Sequence, residues 1–166
     1  TAGGSVNTGR YGSMGAGTLT AGMIAGGLVL PSTYGNQVEL YDGSSWTETT
    51  EINTGRGNMG GSGTTTDGLI FGGNNPNNAQ TEKWDGSAWT EVGDLNTARR
   101  YGAAGGGVAP ISIYAGGLVT AGVANTESWN GSSWTEIADI SATRYGMMSG
   151  GTATAGLVAG GQAPPA

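Results

Sequence analysis

Apolar and polar residues alternate along this chain in short bursts, and each burst ends in a cluster of Gly, Ser, Asn, Asp or Pro. Val38-Glu39-Leu40-Tyr41, Thr81-Glu82-Lys83-Trp84 and Thr126-Glu127-Ser128-Trp129 step with period two, the spacing of a strand that lays one face on a core. A second kind of burst, AGMIAGG at Ala21–Gly27, is short and apolar throughout. No helical periodicity competes with these signals. The pattern predicts an all-β chain of short strands joined by tight turns.

The bursts recur in a fixed order. Gly-Gly pairs stand at Gly26-Gly27, Gly72-Gly73, Gly116-Gly117 and Gly160-Gly161, spaced by 46, 44 and 44 residues. Counted from these pairs, Arg10, Arg56, Arg100 and Arg144 share one register. Glu39, Glu82 and Glu127 recur after them, each seven residues before Trp46, Trp89 and Trp134 in turn. From Asn7 to Ile52, one unit holds four strand-length pieces: RYGSMGAGT, AGMIAGG, QVELYDG and SWTETTEI. Four strands with tight connections make an antiparallel up-and-down sheet, the blade of a propeller; the turns of a β-solenoid have shorter periods. The Gly and Ala of the first piece suit an innermost strand, where blades converge on an axis. The aromatics of the outer pieces suit the space between blades.

The register divides the chain into units at 7–52, 53–95 and 96–140, with half a unit at 141–166. Residues 1–6 match the hexapeptide that follows each tryptophan, so Thr1–Val6 is expected to end the outer strand of another blade. Tyr145–Gly161 is expected to supply the two inner strands of a fourth blade. Open edges of this kind recruit other strands, so the expected setting is a longer chain of repeats or a homo-oligomer.

Composition narrows the chemistry. Of 166 residues, 35 are Gly and 5 are Pro, a content near that of disordered low-complexity segments. The glycines are locked to the repeat register and accompanied by regularly placed aromatics, which favours order. There is no Cys and no His, which removes thiolate and imidazole metal sites and every nucleophile–base pair built on them. A net charge of −6 with a single lysine leaves no basic stripe for nucleic acid or anionic membrane. No apolar run is long enough to span a bilayer. No catalytic, metal or cofactor-binding residue is assigned, and no cofactor is expected.

The repeated arginines and glutamates read as a recurring charge pair or carbonyl clamp, with Arg10, Arg56 and Arg100 set against Glu39, Glu82 and Glu127. Arg99 is then the extra arginine outside the register, the candidate for reading an anionic ligand. Trp46, Trp89 and Trp134, with Tyr41, Trp84 and Trp129 on the preceding strand, read as blade-packing residues. Asp42-Gly43, Asp85-Gly86 and Asn130-Gly131 read as hairpin turns, because no loop clusters the carboxylates a calcium site needs. The segments Leu28–Val38, Asn74–Thr81 and Leu118–Thr126 differ in length and share a face with the arginine loops, as binding surfaces on repeat scaffolds do.

The order Arg, Gly-Gly, Glu-x-aromatic-Asp and Trp resembles the kelch repeat, and RYGSMGAGTLTAGMIAGG…VELYDGSSWTE looks like one kelch blade. The resemblance implies a kelch-like β-propeller, or a propeller segment, built from four-stranded antiparallel blades. The family's copper-oxidase activity depends on Cys and His and does not carry over. The glycine richness and near-identity of the copies, in phrases such as NTARRYG and WDGSAWTE, are similar to multi-repeat proteins predicted from marine bacteriophages. That likeness implies a non-catalytic virion or tail-fibre component, virion-borne or extracellular, contacting a host surface glycan or another virion protein. The commonest use of kelch propellers implies the alternative, a cytoplasmic protein–protein interaction adaptor.

Overall fold

A computed structural model describes residues 4–105 and 111–163, and every regular element among them is a strand. The first repeat contains β1 (Arg10–Tyr11), β2 (Met14–Thr18), β3 (Ala21–Ala25), β4 (Leu28–Val29), β5 (Thr33–Tyr34), β6 (Val38–Tyr41) and β7 (Trp46–Thr49). The second contains β8 (Gly60–Gly63), β9 (Gly68–Phe71), β10 (Thr81–Trp84) and β11 (Trp89–Val92). The third contains β12 (Ala103–Gly105), β13 (Ser112–Leu118), β14 (Gly122–Trp129) and β15 (Trp134–Ile137), and β16 (Met148–Thr152) and β17 (Ala155–Ala159) follow. Each full repeat is a four-stranded antiparallel meander: β2-β3-β6-β7, β8-β9-β10-β11 and β12-β13-β14-β15. β16 and β17 pair with each other alone among the described residues. The chain is all-β with a propeller-like arrangement of blades.

First strands meet one another from blade to blade: β2 packs beside β8, β8 beside β12 and β12 beside β16. Their small residues follow from that crowding. A Cβ on Gly60 would come within 2.9 Å of the Tyr114 ring. Backbone hydrogen bonds tie the turns before these strands into a chain. Asn58 N–H donates to the Gly12 carbonyl at 2.6 Å, Tyr101 N–H to that of Asn58 at 2.9 Å, and Gly146 N–H to that of Tyr101 at 2.7 Å.

Two apolar cores lie between consecutive blades. Met14, Met23, Val38 and Ile52 of the first blade meet Met59, Ile70, Trp84 and Trp89 of the second. Leu69, Phe71 and Leu95 meet Tyr114, Trp129 and Trp134 of the third. Each tryptophan that opens a fourth strand stands opposite the aromatic that closes the third: Tyr41 with Trp46, Trp84 with Trp89, Trp129 with Trp134. The ring centroids are 5.0, 5.3 and 5.5 Å apart and tilted by 35°, 37° and 47°, so the three pairs share one geometry, although Trp89 and Trp134 are buried and Trp46 is half-buried. Cross-strand pairing of this kind adds to the area each ring removes from water.

The glycine pairs have two physical reasons. Both members hold positive φ, 58° and 106° at Gly26-Gly27, 66° and 105° at Gly72-Gly73, 60° and 117° at Gly116-Gly117. That conformation is costly for residues with a Cβ. The second reason is proximity. A Cβ on Gly26, Gly72 or Gly116 would lie 2.6 Å from the carbonyl oxygen of Arg56, Arg99 or Arg144 in the next repeat. The second glycine of each pair donates its N–H to that same carbonyl, at 2.9, 2.9 and 2.8 Å.

The segments between second and third strands differ from the plain loops expected. In the first repeat, β4 and β5 form a hairpin that pairs with β1 as a small extra sheet. In the third, β13 and β14 run on past Gly116-Gly117 with a bulge between Ala115 and Gly117. At the amino end, Thr1–Gly3 lies outside the described residues. Gly4 lies beside the turn of the first blade, its N–H 3.2 Å from the Ser44 carbonyl and its own carbonyl accepting from Trp46 Nε1 at 3.0 Å.

Burial sets the expected cost of truncation. Trp134 is buried between two blades, whereas Trp46 is only half-buried. Trp134→Ala is expected to lower unfolding free energy by about 3–5 kcal/mol, and Trp46→Ala by clearly less. Urea unfolding curves of the two variants check this, and equal losses would contradict the packing described.

Candidate functional site

A single constellation repeats at one end of each full blade. It begins with an asparagine in the loop from fourth to first strand. The backbone N–H groups of Asn7, Asn53 and Asn96 each donate to a carboxylate oxygen of Glu39, Glu82 and Glu127, all at 2.7 Å. The Asn53 and Asn96 side-chain amides donate to the same glutamates at 2.8 Å. All three asparagine amides also reach the tryptophan carbonyl of the fourth strand: Asn7 to Trp46, Asn53 to Trp89 and Asn96 to Trp134. Three residues after each asparagine, an arginine closes on the carboxylate: Arg10 on Glu39, Arg56 on Glu82 and Arg99 on Glu127.

The strand register places these glutamates. Glu39 stands opposite Ile24, Glu82 opposite Ile70 and Glu127 opposite Tyr114, two residues before each glycine pair. All three carboxylates are essentially without solvent contact. A buried carboxylate is tolerated only when its charge and lone pairs are met, which the asparagine and arginine do together. Arg99 is the most fully satisfied of the cations. Besides Glu127, it donates to the carbonyls of Gly116 at 3.0 Å, Thr97 at 3.0 Å and Tyr114 at 2.8 Å, and its guanidinium lies 4.6 Å from the Tyr114 ring centre. Burial raises the pKa of the Tyr114 phenol, whose oxygen accepts from Gly102 N–H at 3.1 Å. Arg56 is less well served. Its Nη2 lies 3.0 Å from Glu82 Oε1 but is poorly aligned for a hydrogen bond. Burial pulls its pKa below the usual arginine value, against the opposing attraction of Glu82.

The assignment of Arg100 to this constellation is corrected. Arg99 occupies the position of Arg10 and Arg56, and Arg100 that of Tyr11 and Gly57. Arg100 bridges to Leu118 as Tyr11 pairs with Leu28 and Gly57 with Asn74. The cause is a longer hairpin between first and second strands in the third repeat. Met14 pairs with Ala25 and Gly60 with Phe71, but Ala103 pairs with Ala115, one residue further on. Counting back from the glycine pair therefore lands one residue late. Counting forward from the asparagine reaches Arg10, Arg56 and Arg99 alike. Arg144, with Ser141 in the asparagine position, donates to the Gly160 carbonyl at 3.1 Å and meets no carboxylate among the described residues.

The turns at the other end of the blades carry a second repeated device. Asp42 Oδ1 accepts from the N–H groups of Ser44 and Ser45, Asp85 Oδ1 from Ser87 and Ala88, and Asn130 Oδ1 from Ser132 and Ser133. Only the glycine takes a left-handed conformation, with φ of 98°, 99° and 104° at Gly43, Gly86 and Gly131. These hydrogen bonds hold the Asp42 and Asp85 carboxyls below the usual aspartate range, the backbone donors Ser45 and Ala88 contributing most.

The segments between second and third strands interlock with one another from repeat to repeat and, through Asn75, with the arginine loop before Arg56. Asn74 donates to the Tyr34 hydroxyl at 2.7 Å, Asn75 to the Gly55 carbonyl at 3.1 Å and Asn77 to the Val119 carbonyl at 2.8 Å. Toward the axis, equivalent turns of four repeats surround a mouth of about 240 Å³ lined by Gly12, Asn58, Tyr101 and Gly146 with the residues that follow them. An adjoining depression is lined by Tyr101, Tyr145, Gly146 and Gln162. Among the described residues no three His, Cys, Asp or Glu side chains cluster as a metal site would require. No protein-family model matches the chain, and no curated protein matches it.

Two outcomes test this geometry. Arg99→Met strands a buried glutamate and is expected to cost about 3–5 kcal/mol, while Arg100→Met is expected to cost less than about 1 kcal/mol; chemical denaturation separates them. The turn aspartates give a pH dependence. Their folded pKa values lie below the unfolded value, so their stabilisation is complete above about pH 4 and is lost as pH falls further. Melting temperature should therefore fall more steeply below pH 4 for the native protein than for Asp42→Asn/Asp85→Asn. Parallel curves would mean that the turns carry no such linkage.

Proposed function

We propose that this chain is a non-catalytic binding module of kelch-like repeats, a virion or tail-fibre component of a bacteriophage, that engages host surface glycan through its loop-bearing face. The carrying observation is Tyr101. Four equivalent turn residues, Gly12, Asn58, Tyr101 and Gly146, all adopt left-handed backbone, with φ of 64°, 55°, 57° and 65°. Glycine does so freely, and asparagine with little difficulty. A tyrosine there is strained, and strain of this kind is retained where a side chain is needed for something other than stability.

The surroundings suit a sugar. The Tyr101 ring is 37% exposed at the axial mouth, with the Arg100 guanidinium 5.7 Å from its centre. Tyr145 and Gln162 adjoin it, and Tyr11 is 54% exposed on an equivalent turn. Aromatic faces that stack on pyranose rings, beside amide and guanidinium donors for hydroxyls, form a polar-tipped and partly apolar platform. The framework arginines Arg10, Arg56 and Arg99 are committed to their own glutamates. They hold the platform and do not contribute to it.

The test uses a substitution that improves the backbone while deleting the ring. Tyr101→Gly restores the residue found at Gly12 and Gly146, so stability is expected to stay level or to rise by about 1 kcal/mol. Binding to an array of bacterial surface polysaccharides is expected to be present in the native protein and at least tenfold weaker in the variant. Absence of glycan binding, or equal binding by the variant, would refute the reading.

A further inference from the structure

Arg100 interrupts the repeat one residue before Tyr101. The equivalent positions hold Tyr11, Gly57 and Tyr145. The ion pairs Arg10–Glu39, Arg56–Glu82, Arg99–Glu127 and Lys83–Asp67 leave Arg100 without a carboxylate among the described residues. It is nonetheless held in place. Its backbone bridges to Leu118, and its Nη1 donates to Asn77 Oδ1, while Asn77 Nδ2 donates to the Val119 carbonyl at 2.8 Å. The half-buried side chain keeps its guanidinium 5.7 Å from the centre of the Tyr101 ring. Its Nε and Nη2 donate to nothing among the described residues, and neither is a buried orphan like Arg10 Nε and Arg56 Nε. In Arg99, by contrast, Nε, Nη1 and Nη2 are all engaged. The Nε–H and Nη2–H bonds of an arginine run parallel along one edge, a fork that matches the two oxygens of a carboxylate.

The distribution of charge around Arg100 favours an anion. The chain carries a net charge of −6, yet the segments 28–38, 74–81 and 118–126 and the turns 8–13, 54–59, 97–102 and 142–147 hold no Asp or Glu. The 12 acidic residues stand on third and fourth strands, just beyond the fourth, or in the turns at the other end of the blades. Where acids of the fourth-strand arm touch these segments they accept hydrogen bonds from them: Glu51 from Asn36, Glu91 from Gln80, Glu136 from Asn125 and Asp139 from Thr126. We infer that the glycan at the axial mouth is an acidic one, a polysaccharide of sugar acids whose carboxylate pairs with the Nε–Nη2 edge of Arg100 while a pyranose ring lies against Tyr101. This rests on the glycan reading and names the class of sugar. A carboxylate so held gains a charge-assisted fork that a neutral sugar's hydroxyls do not match. Asn77 is the positioning residue: by taking Nη1 it turns the remaining edge of the guanidinium outward.

The test compares each polysaccharide that the native protein binds on the array with the same polymer after its carboxyl groups have been reduced to alcohols. The bound polymers are expected to contain sugar acids, and reduction is expected to weaken their binding at least tenfold. Arg100→Gln is expected to weaken binding of the acidic polymer by a similar factor and to have little effect on the reduced one, whereas Tyr101→Gly weakens both. If Arg100→Gln fails to fold, the comparison of the two polymers on the native protein decides alone. Bound polymers without carboxylates, or equal binding before and after reduction, would overturn the assignment of an acidic sugar and leave the glycan reading standing. Absence of any glycan binding would overturn both.

Discussion

Glu39, Glu82 and Glu127 impose the governing constraint on this structure. Each is a carboxylate with almost no solvent contact, placed on the third strand of a thin sheet. Left unpaired, such a group would take a large share of a typical domain's folding surplus or give up its charge. Meeting it takes the backbone N–H of an asparagine from the preceding loop, joined in the second and third blades by the same asparagine's side chain, and an arginine three residues later. The path of the chain from one blade into the next is set by that requirement. The same asparagine also holds the tryptophan carbonyl of the fourth strand, so all the outer elements of a blade are tied to one buried charge.

The arginine then links neighbours. Its side chain serves the glutamate of its own repeat, and its main-chain carbonyl accepts from the second glycine of the preceding repeat. One residue thus couples the inside of a blade to the contact between blades. This explains why glycine is required twice in succession. The first glycine must admit the approaching carbonyl to within 2.6 Å of where a Cβ would be, and both must turn left-handed to aim an N–H at it. Apolar burial then completes the joint, with the tryptophan pair of each later blade covering the methionines and aliphatics of the one before.

Much of this was legible in the sequence because the repeats are close copies. Period-two alternation marked β6, β10 and β14 as strands, and the Gly-Gly pairs marked the ends of the second strands; that the polar phase of the alternation is also buried, with Glu39, Glu82 and Glu127 enclosed, was not visible in it. The aromatic registers predicted the cross-strand pairs. The clamp was harder to read. Arg99 and Arg100 are adjacent, and a one-residue extension of the hairpin before β13 shifts any count made from the glycines. The decisive signal was the Asn-x-x-Arg spacing, which measures a rigid local turn and not the length of a variable hairpin. The β4–β5 hairpin escaped notice for a different reason. Leu28-Val29 and Thr33-Tyr34 are too short to show a periodicity, and their pairing with β1 depends on a contact formed only when the blade closes.

A division of labour follows from which side chains repeat and which do not. The residues that recur in every full blade are consumed by the fold: each glutamate is enclosed, each asparagine doubly bonded, each tryptophan stacked. Chemistry available to a partner must therefore come from positions where the repeats disagree. The turn that carries Gly12, Asn58, Tyr101 and Gly146 is one such position, because a common backbone conformation there bears glycine, asparagine or tyrosine. Its chain of inter-blade hydrogen bonds fixes the backbone whatever the side chain, and so allows a strained tyrosine to persist. A scaffold that satisfies its polar groups through main chain and a few repeated side chains leaves the axial face free to vary without loss of the fold.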